Sequence, residues 1–395
     1  MSLNETPVAS RLHIGIFGRR NAGKSSIINA IIGQNLSIVS DVKGTTTDPV
    51  LKSMELLPLG PVVLIDTPGL DDEGTLGELR VQKAVQMLNK TDLAILVVDG
   101  EIGMAQEDRE ILKRIQQKEL PYIVVYNKWD LQGDAPKPTG ANILCVSTRT
   151  GENIFELKEL IARQAPKDQT EKKIVGDLLS PGDFVVLVIP IDSGAPKGRL
   201  ILPQQQTIRD ILEAGAAAVA VRDTELKKAL EGLGCKPALV ITDSQAFAKV
   251  AADVPEDIPL TSFSILFARY KGNLKAMAEG AYALDILKDN DTVLISEGCT
   301  HHRQCDDIGS RKLPRWILGH TGKKIRFVFT SGTEFPSDLS PYRLIVHCGG
   351  CMLNEREMKS RLGCAAEQGI PMTNYGTAIA HMKGILKRSL EPFSL

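Results

Sequence analysis

Residues 18–25 read Gly18-Arg-Arg-Asn-Ala-Gly23-Lys24-Ser25, a full G-x-x-x-x-G-K-S, set between the apolar run Leu12–Phe17 and the helix-like Ser26-Ile-Ile-Asn-Ala-Ile-Ile. Strand, glycine loop and helix in this order build a phosphate cradle. The glycines let the backbone curl until its N–H groups point inward, Lys24 sets a point charge on the β/γ oxygens, and Ser25 offers a hydroxyl to Mg2+. Gly18, Asn21, Ala22, Gly23, Lys24, Ser25 and Ser26 are therefore the candidate phosphate-binding residues.

Working outward, short apolar runs at Val62–Asp66, Leu93–Val98, Tyr122–Tyr126 and Asn142–Val146 alternate with stretches of helical spacing. Such alternation predicts an α/β fold, a mostly parallel sheet with helices on both faces. In one helix, Ile111, Leu112 and Ile115 share a side while Glu110, Lys113, Arg114 and Gln117 occupy the rest. The ends of these strands carry the remaining nucleotide motifs. Asp66-Thr67-Pro68-Gly69 offers a carboxylate for the outer shell of the metal and a Gly69 amide for the γ-phosphate. Asn127-Lys128-Trp129-Asp130 selects the base, because a carboxylate that accepts from both N1–H and the exocyclic amine suits guanine and repels adenine. GTP is expected over ATP. Ser147 and Thr148 follow the strand at Asn142–Val146, where a backbone amide would meet the guanine oxygen. The loop Gly44-Thr45-Thr46-Thr47-Asp48 is suited to closing a hydroxyl onto Mg2+, with Thr46 the expected ligand. Leu70 stands where Ras-like enzymes place a water-orienting glutamine, so intrinsic turnover is expected to be slow. Such an enzyme acts as a timer or switch. The expected catalytic set is Asn21, Lys24, Thr46 and Gly69.

At 395 residues the chain exceeds a single domain, and its polar run Ala165–Lys173 reads as a linker. Three α/β domains are expected: residues 1–168, 177–262 and 263–395. In the second, strands are read at Phe184–Ile189, Ala217–Val221 and Ala238–Thr242. In the third, a helical segment of about 25 residues leads to strands at Thr292–Ser296, Lys324–Phe329 and Tyr342–Val346. Lys and Arg number 47 against 48 Asp and Glu, so a net charge of -1 predicts no bulk attraction to nucleic acid or to an anionic membrane. Aromatic content of 5% is too sparse for stacking platforms along single strands. No apolar run approaches the ~20 residues needed to cross a bilayer, and MSLNETPVASR lacks the apolar core of a signal peptide. A cytoplasmic protein is expected. Its seven cysteines read as reduced thiols or metal ligands.

Five of the candidate ligands stand in two places in the last third. Cys299-Thr300-His301 follows the strand ending at Ser296, and His347-Cys348-Gly349-Gly350-Cys351 follows the strand ending at Val346. The carboxyl ends of parallel strands are where open α/β sheets bind ligands, so the two groups are expected to meet across one crevice. Three thiolates and a histidine fit tetrahedral zinc; three thiolates fit a four-iron cluster with one iron left for an exchangeable ligand; a redox dithiol or buried cysteines remain open too. Asp306 and Asp307 are near enough to add a weak fourth ligand.

The first ~165 residues resemble GTPases of the TrmE/Era type, through Asn21 in the loop, the Gly44-Thr-Thr stretch, Asp66-Thr-Pro-Gly69 and Asn127-Lys-x-Asp130. In that family an asparagine at the position of Asn21 helps to bind a potassium ion that stands in for an arginine finger, so the resemblance implies K+-stimulated hydrolysis. Arg20 replaces the usual proline and Thr148 the usual alanine, and neither change removes a side-chain ligand. Over the whole chain, Cys-x-His, 45 residues, then His-Cys-x-x-Cys resembles the signature of the HydF family, the GTPases that mature FeFe-hydrogenases. That resemblance ranks the four-iron reading first. It implies a homodimeric scaffold whose 4Fe-4S cluster is held by Cys299, Cys348 and Cys351, with His301 and His347 as further candidates. It also implies a diiron precursor received from two radical-SAM maturases and delivered to apo-hydrogenase. The alternative is a TrmE/Era-like GTPase acting on RNA with a structural zinc, which the near-zero net charge disfavours.

Overall fold

Five of the six residues of β1 (Leu12–Phe17) are buried, because a strand with parallel neighbours on both sides and helices on both faces meets solvent nowhere. The computed structural model describes residues 6–33, 49–69, 83–133, 135–166, 172–191, 200–299 and 308–395. These belong to two compact units, residues 1–170 and 171–395. In the first unit β1 lies in a six-stranded sheet with β2 (Val50–Leu56), β3 (Gly60–Asp66), β4 (Leu93–Asp99), β5 (Tyr122–Asn127) and β6 (Ile143–Cys145), in the order β2-β3-β1-β4-β5-β6. All neighbours are parallel except β2, which runs antiparallel to β3 at the edge. Sequence reading missed β2, whose exposed positions Val50 and Leu51 lack the buried run of an interior strand.

Alternation along these strands divides the core into two layers. Ile14, Ile16, Leu64, Ile95 and Val97 pack with the helices Lys24–Ile32 and Ile154–Gln164. On the other face Phe17, Val63, Ile65, Leu96 and Val98 pack with Ile111 and Ile115 of the helix Gln106–Gln117. Leu112 is only half-buried. The register pairs Ile16 with Asp66 and Ile14 with Leu93, so the loop after β1 opens beside the end of β3.

The second unit holds two parallel four-stranded sheets. One has the order β10-β9-β7-β8, from β7 (Phe184–Val188), β8 (Ala217–Val221), β9 (Leu239–Thr242) and β10 (Leu260–Ser262). The other has the order β12-β11-β13-β14, from β11 (Thr292–Glu297), β12 (Arg326–Ser331), β13 (Leu344–His347) and β14 (Met372–Asn374). The three-residue strands β10 and β14 are too short to show a period and were not foreseen. One continuous core joins Val186 and Val240 of the first sheet to Leu294 and Ile345 of the second.

The long helix expected after Phe263 is broken. Gly272 adopts φ -132, ψ -138, and Asn273 then caps a new helix by accepting from the Ala276 amide. The result is a helix at Phe263–Lys271, another at Leu274–Ala281 and a 3-10 turn at Tyr282–Ile286. This break matters because it ends the first helix at Lys271, a residue buried beneath the cysteine loop. Among the described residues no helix is long and apolar enough to cross a membrane.

Candidate functional site

The loop after β1 owes its shape to positive φ angles at Gly18 (143°), Asn21 (60°) and Gly23 (91°). Gly23 is required twice over, since a Cβ there would also stand 2.1 Å from Asn127 Nδ2. Lys24 is buried and its ammonium donates to the carbonyls of Gly18 (3.0 Å) and Arg19 (2.8 Å), which holds the charge within the curl of the loop. Ser25 and Ser26 lie in the first turn of the helix that follows. The Ser25 hydroxyl donates to Asp66 Oδ2 at 2.8 Å. Burial raises the Asp66 carboxyl above its ordinary range, against the pull of the Ser25 hydrogen bond and the Lys24 charge. A hydroxyl and a buried carboxylate side by side, next to a phosphate loop, suit a divalent oxygen-seeking cation. Gly69 packs against the loop, and a Cβ there would come 3.0 Å from Arg20 Cβ.

Asn127 ties the phosphate loop to the base-recognition segments. Its Nδ2 donates to the Ala22 carbonyl at 3.1 Å, and its Oδ1 accepts from the Thr148 amide and hydroxyl, both at 3.3 Å. The threonine at this position thus adds a bond that an alanine would lack. Lys128 takes a left-handed conformation at φ 63, and its ammonium reaches Asp99 Oδ2 at 2.6 Å. Asp130 follows in the 3-10 turn Trp129–Leu131, with Arg149 Nη1 at 4.0 Å. Ser147 is buried, and its hydroxyl accepts from the Thr150 amide, which shapes the turn that presents Thr148. The structure thus brings Gly18, Asn21, Ala22, Gly23, Lys24, Ser25, Ser26, Asp66, Gly69, Asn127, Lys128, Asp130, Ser147 and Thr148 to the carboxyl ends of β1, β3, β5 and β6. Thr46 and Leu70 lie outside the described residues.

In the second unit the pairing of Ser296 with His347 sets the ends of β11 and β13 side by side. The Gly298 amide donates to Cys348 Sγ at 3.1 Å, and the Gly350 amide donates to the same sulfur at 3.4 Å. The residue next to Cys299 therefore touches Cys348, and Cys351 closes the same loop. Gly350 sits at φ 65, where a Cβ would come 2.8 Å from Met358 Sδ. Burial pushes the Cys348 thiol up to about 11, against the pull of its two amide donors, and burial raises Cys351 as well. Loss of the thiol protons would be favoured by a bound cation. Two thiols of one loop, with two inward N–H donors on the Cys348 sulfur, suit a thiophilic metal or an iron-sulfur cluster, whose sulfurs accept such bonds.

His347 is fully buried and both ring nitrogens are engaged. Nδ1 donates to the Cys348 carbonyl at 2.8 Å and Nε2 accepts from Arg361 Nη1 at 3.0 Å. Burial, then the Arg361 charge, hold its pKa down at about 3, so the ring is neutral. In this arrangement it holds the loop rather than offering a nitrogen to it. His301 lies outside the described residues, as do Cys305, Asp306 and Asp307.

Two buried cations support the loop from beneath and were not singled out from the sequence. Lys271 donates to the carbonyls of Gly350 (3.3 Å), Cys351 (2.9 Å) and Leu353 (2.7 Å), and burial lowers its pKa to about 8. Arg361 joins His347, Ser296 Oγ (3.3 Å), the Gly332 carbonyl (2.6 Å) and Glu357 Oε1 (2.7 Å). The i,i+4 spacing of Glu357 and Arg361 is visible in the sequence, but the same spacing marks many solvated helix faces.

A family model described as the hydrogen maturase F tetramerization domain matches residues 275–392, and one described as the hydrogen maturase F dimerization domain matches 174–272. A 50S ribosome-binding GTPase model matches residues 13–128. The chain is 33% identical over 156 residues to the tRNA modification GTPase MnmE of Nitrosomonas eutropha, covering 38% of this chain and 34% of that protein. It is 36% identical over 179 residues to the GTPase Der of Wolinella succinogenes, covering 41% and 37%. Both matches thus span little more than a third of the relatives. Era of Aquifex aeolicus, a solved structure, is 21% identical with a TM-score of 0.36, covering 56% of this chain and 98% of that one. The two hydrogen maturase F models together span more than half of the sequence, and with its P-loop GTPase unit the chain belongs to the hydrogen maturase F (HydF) family of GTPases.

Proposed function

We propose that this chain hydrolyses GTP with Mg2+ and K+ in residues 1–168 and uses residues 263–395 to hold a 4Fe-4S cluster, with residues 177–262 as the dimerisation segment. In this reading Lys24 draws the charge that grows on the β/γ oxygens as water attacks the γ-phosphorus and the bond to the β–γ bridging oxygen breaks. Ser25, Asp66 and Thr46 place Mg2+, Asn21 helps to hold K+, and the Gly69 amide meets the γ-phosphate. Asp130 selects guanine, with Asn127 bracing the loop behind it and Ser147 and Thr148 beside the base.

The observation that supports the second half is the hydrogen bond from Gly298, the residue before Cys299, to Cys348 Sγ. The cluster supplies an iron that three thiolates leave open to an exchangeable ligand. Cys299, Cys348 and Cys351 anchor it, His347 and Lys271 fix the loop backbone, and a diiron precursor is the cargo passed to apo-hydrogenase from radical-SAM maturases. The name of each matched model, dimerization and tetramerization, is in keeping with a homo-oligomer.

Anaerobic purification followed by iron analysis and activation of apo-hydrogenase tests the reading. Brown protein that activates apo-hydrogenase, with Cys348→Ser colourless yet still hydrolysing GTP, is expected. Colourless wild type with stoichiometric zinc would replace the carrier by the zinc-bearing, RNA-directed alternative.

A further inference from the structure

Away from the cysteine loop, three segments of the second unit bring two imidazoles onto one carboxylate. Asp285 lies in the 3-10 turn Tyr282–Ile286, His320 in the last turn of the helix Leu313–Thr321, and His381 in the helix Tyr375–Met382. His320 Nε2 stands 2.8 Å from Asp285 Oδ1, and His381 Nε2 stands 2.9 Å from Asp285 Oδ2. One ligand atom from each residue lies within 4.8 Å of the other two. The two rings meet edge to face at 5.7 Å, and Tyr282 packs on His381 at 4.8 Å, which restrains the imidazole. His381 is 12% exposed and His320 25%, whereas Asp285 is 48% exposed, so the cluster is rooted on its imidazole side and open to solvent on the other. The hydrogen bond from His320, aided by His381, holds the Asp285 carboxyl below its usual range against the cost of burial.

We infer that Asp285, His320 and His381 form a binding site for a divalent transition cation of the zinc class, distinct from the cysteine site. Two imidazoles and one carboxylate are a donor set of borderline softness that suits Zn2+, Co2+ or Ni2+. Zinc bonds of about 2.0–2.2 Å put neighbouring tetrahedral ligands roughly 3.3 Å apart. The pairs at 2.8 and 2.9 Å need only open slightly, and the two nitrogens, no more than 4.8 Å apart, need only close. A simple ion pair would occupy one histidine. Here each carboxylate oxygen has its own Nε2, so both imidazoles already face one point from separate helices. A bound cation would tie both helices to the turn at Asp285, and water would complete its shell.

The test is equilibrium dialysis of the tag-free, full-length chain against Zn2+, with Co2+ as an optical probe. Loss of one metal equivalent, or at least a tenfold weaker affinity for it, is expected in both His320→Gln and His381→Gln. Iron content and the iron-sulfur absorption of the cysteine site should stay unchanged in both, so failure here and failure of the cluster reading are distinguishable. Wild-type stoichiometry and affinity in the two variants would overturn the site, as would a wild type whose bound Co2+ gives the thiolate band alone. Thermal melting supplies a second readout: Zn2+ should raise the Tm of wild type more than that of His320→Gln. An equal rise overturns the site, even if His381→Gln folds poorly.

Discussion

The phosphate loop and the cysteine loop both sit at carboxyl ends of parallel strands, yet they are held in different ways. The phosphate loop is shaped by its own backbone: three positive φ angles, a lysine bonded to carbonyls of the same loop, and one asparagine stapling it from outside. The cysteine loop has a single left-handed glycine of its own and rests on charged side chains from elsewhere, Lys271 beneath its carbonyls and Arg361 behind His347. A site for a preformed anion such as triphosphate needs an array of amides, which a short segment can supply alone. A site whose thiols are raised by burial needs a rigid frame that keeps the sulfurs together before anything binds.

If that contrast holds, damage to the frame should be most severe in the second unit. Arg361→Ala removes a buried guanidinium bonded to His347, the Gly332 carbonyl and Glu357, and residues 171–395 should lose about 3–5 kcal/mol of stability, read by urea unfolding. A loss under about 1 kcal/mol would show that the loop does not depend on this support. In the first unit, Lys24→Ala should cut GTP turnover by about a hundred- to a thousandfold with the fold intact, measured by phosphate release at saturating GTP. An unchanged rate would remove the loop from the chemistry. Asp130→Asn is expected to weaken GTP by about 1.5–3 kcal/mol, the value of a charged hydrogen bond, in direct titration; equal affinity would mean that another group reads the base.

The smallest effect concerns the helix that carries Lys271. Arg269 on that helix pairs with Asp177 through its two terminal guanidinium nitrogens, and this hydrogen bonding holds the Asp177 carboxyl below its ordinary 3.8. A depressed carboxyl stabilises the fold above the unfolded value and ceases to do so as pH falls through the lower folded one. Asp177→Asn should therefore cost less than about 1 kcal/mol at neutral pH, because the pair is partly exposed, and the difference from wild type should vanish in acid. A difference that does not shrink as pH falls would point to packing rather than charge.

Most of the first unit was legible because its signals are local. Strand Leu12–Phe17 was read at its observed ends, and the phosphate loop, Asp66-Thr-Pro-Gly69 and Asn127-Lys-x-Asp130 each stand at the end of an apolar strand. The edge strand β2 escaped because its pairing partner, not its own pattern, makes it a strand. In the second unit Cys348 and Cys351 were legible as a pair, and the strand ends that bear the two cysteine groups do lie side by side. His347 was read as a candidate ligand from its place beside Cys348, yet the buried Arg361 claims its Nε2 and the Cys348 carbonyl its Nδ1. His320 and His381 drew no notice as a set, since nothing in their own segments points to Asp285.

Sequence alone determined what a short segment can encode: a glycine loop between strand and helix, the carboxylate of Asn127-Lys-x-Asp130, a C-x-x-C at a strand end, and the alternation that builds parallel sheets. Tertiary structure alone decided where the single helix expected after Phe263 breaks, which lysine and arginine lie beneath the thiols, and which histidines share an aspartate. Backbone curvature follows from φ preferences of adjacent residues, so it is written locally. The neighbours of a buried side chain are set by the packing of segments tens of residues apart, so they become visible only when the chain has folded.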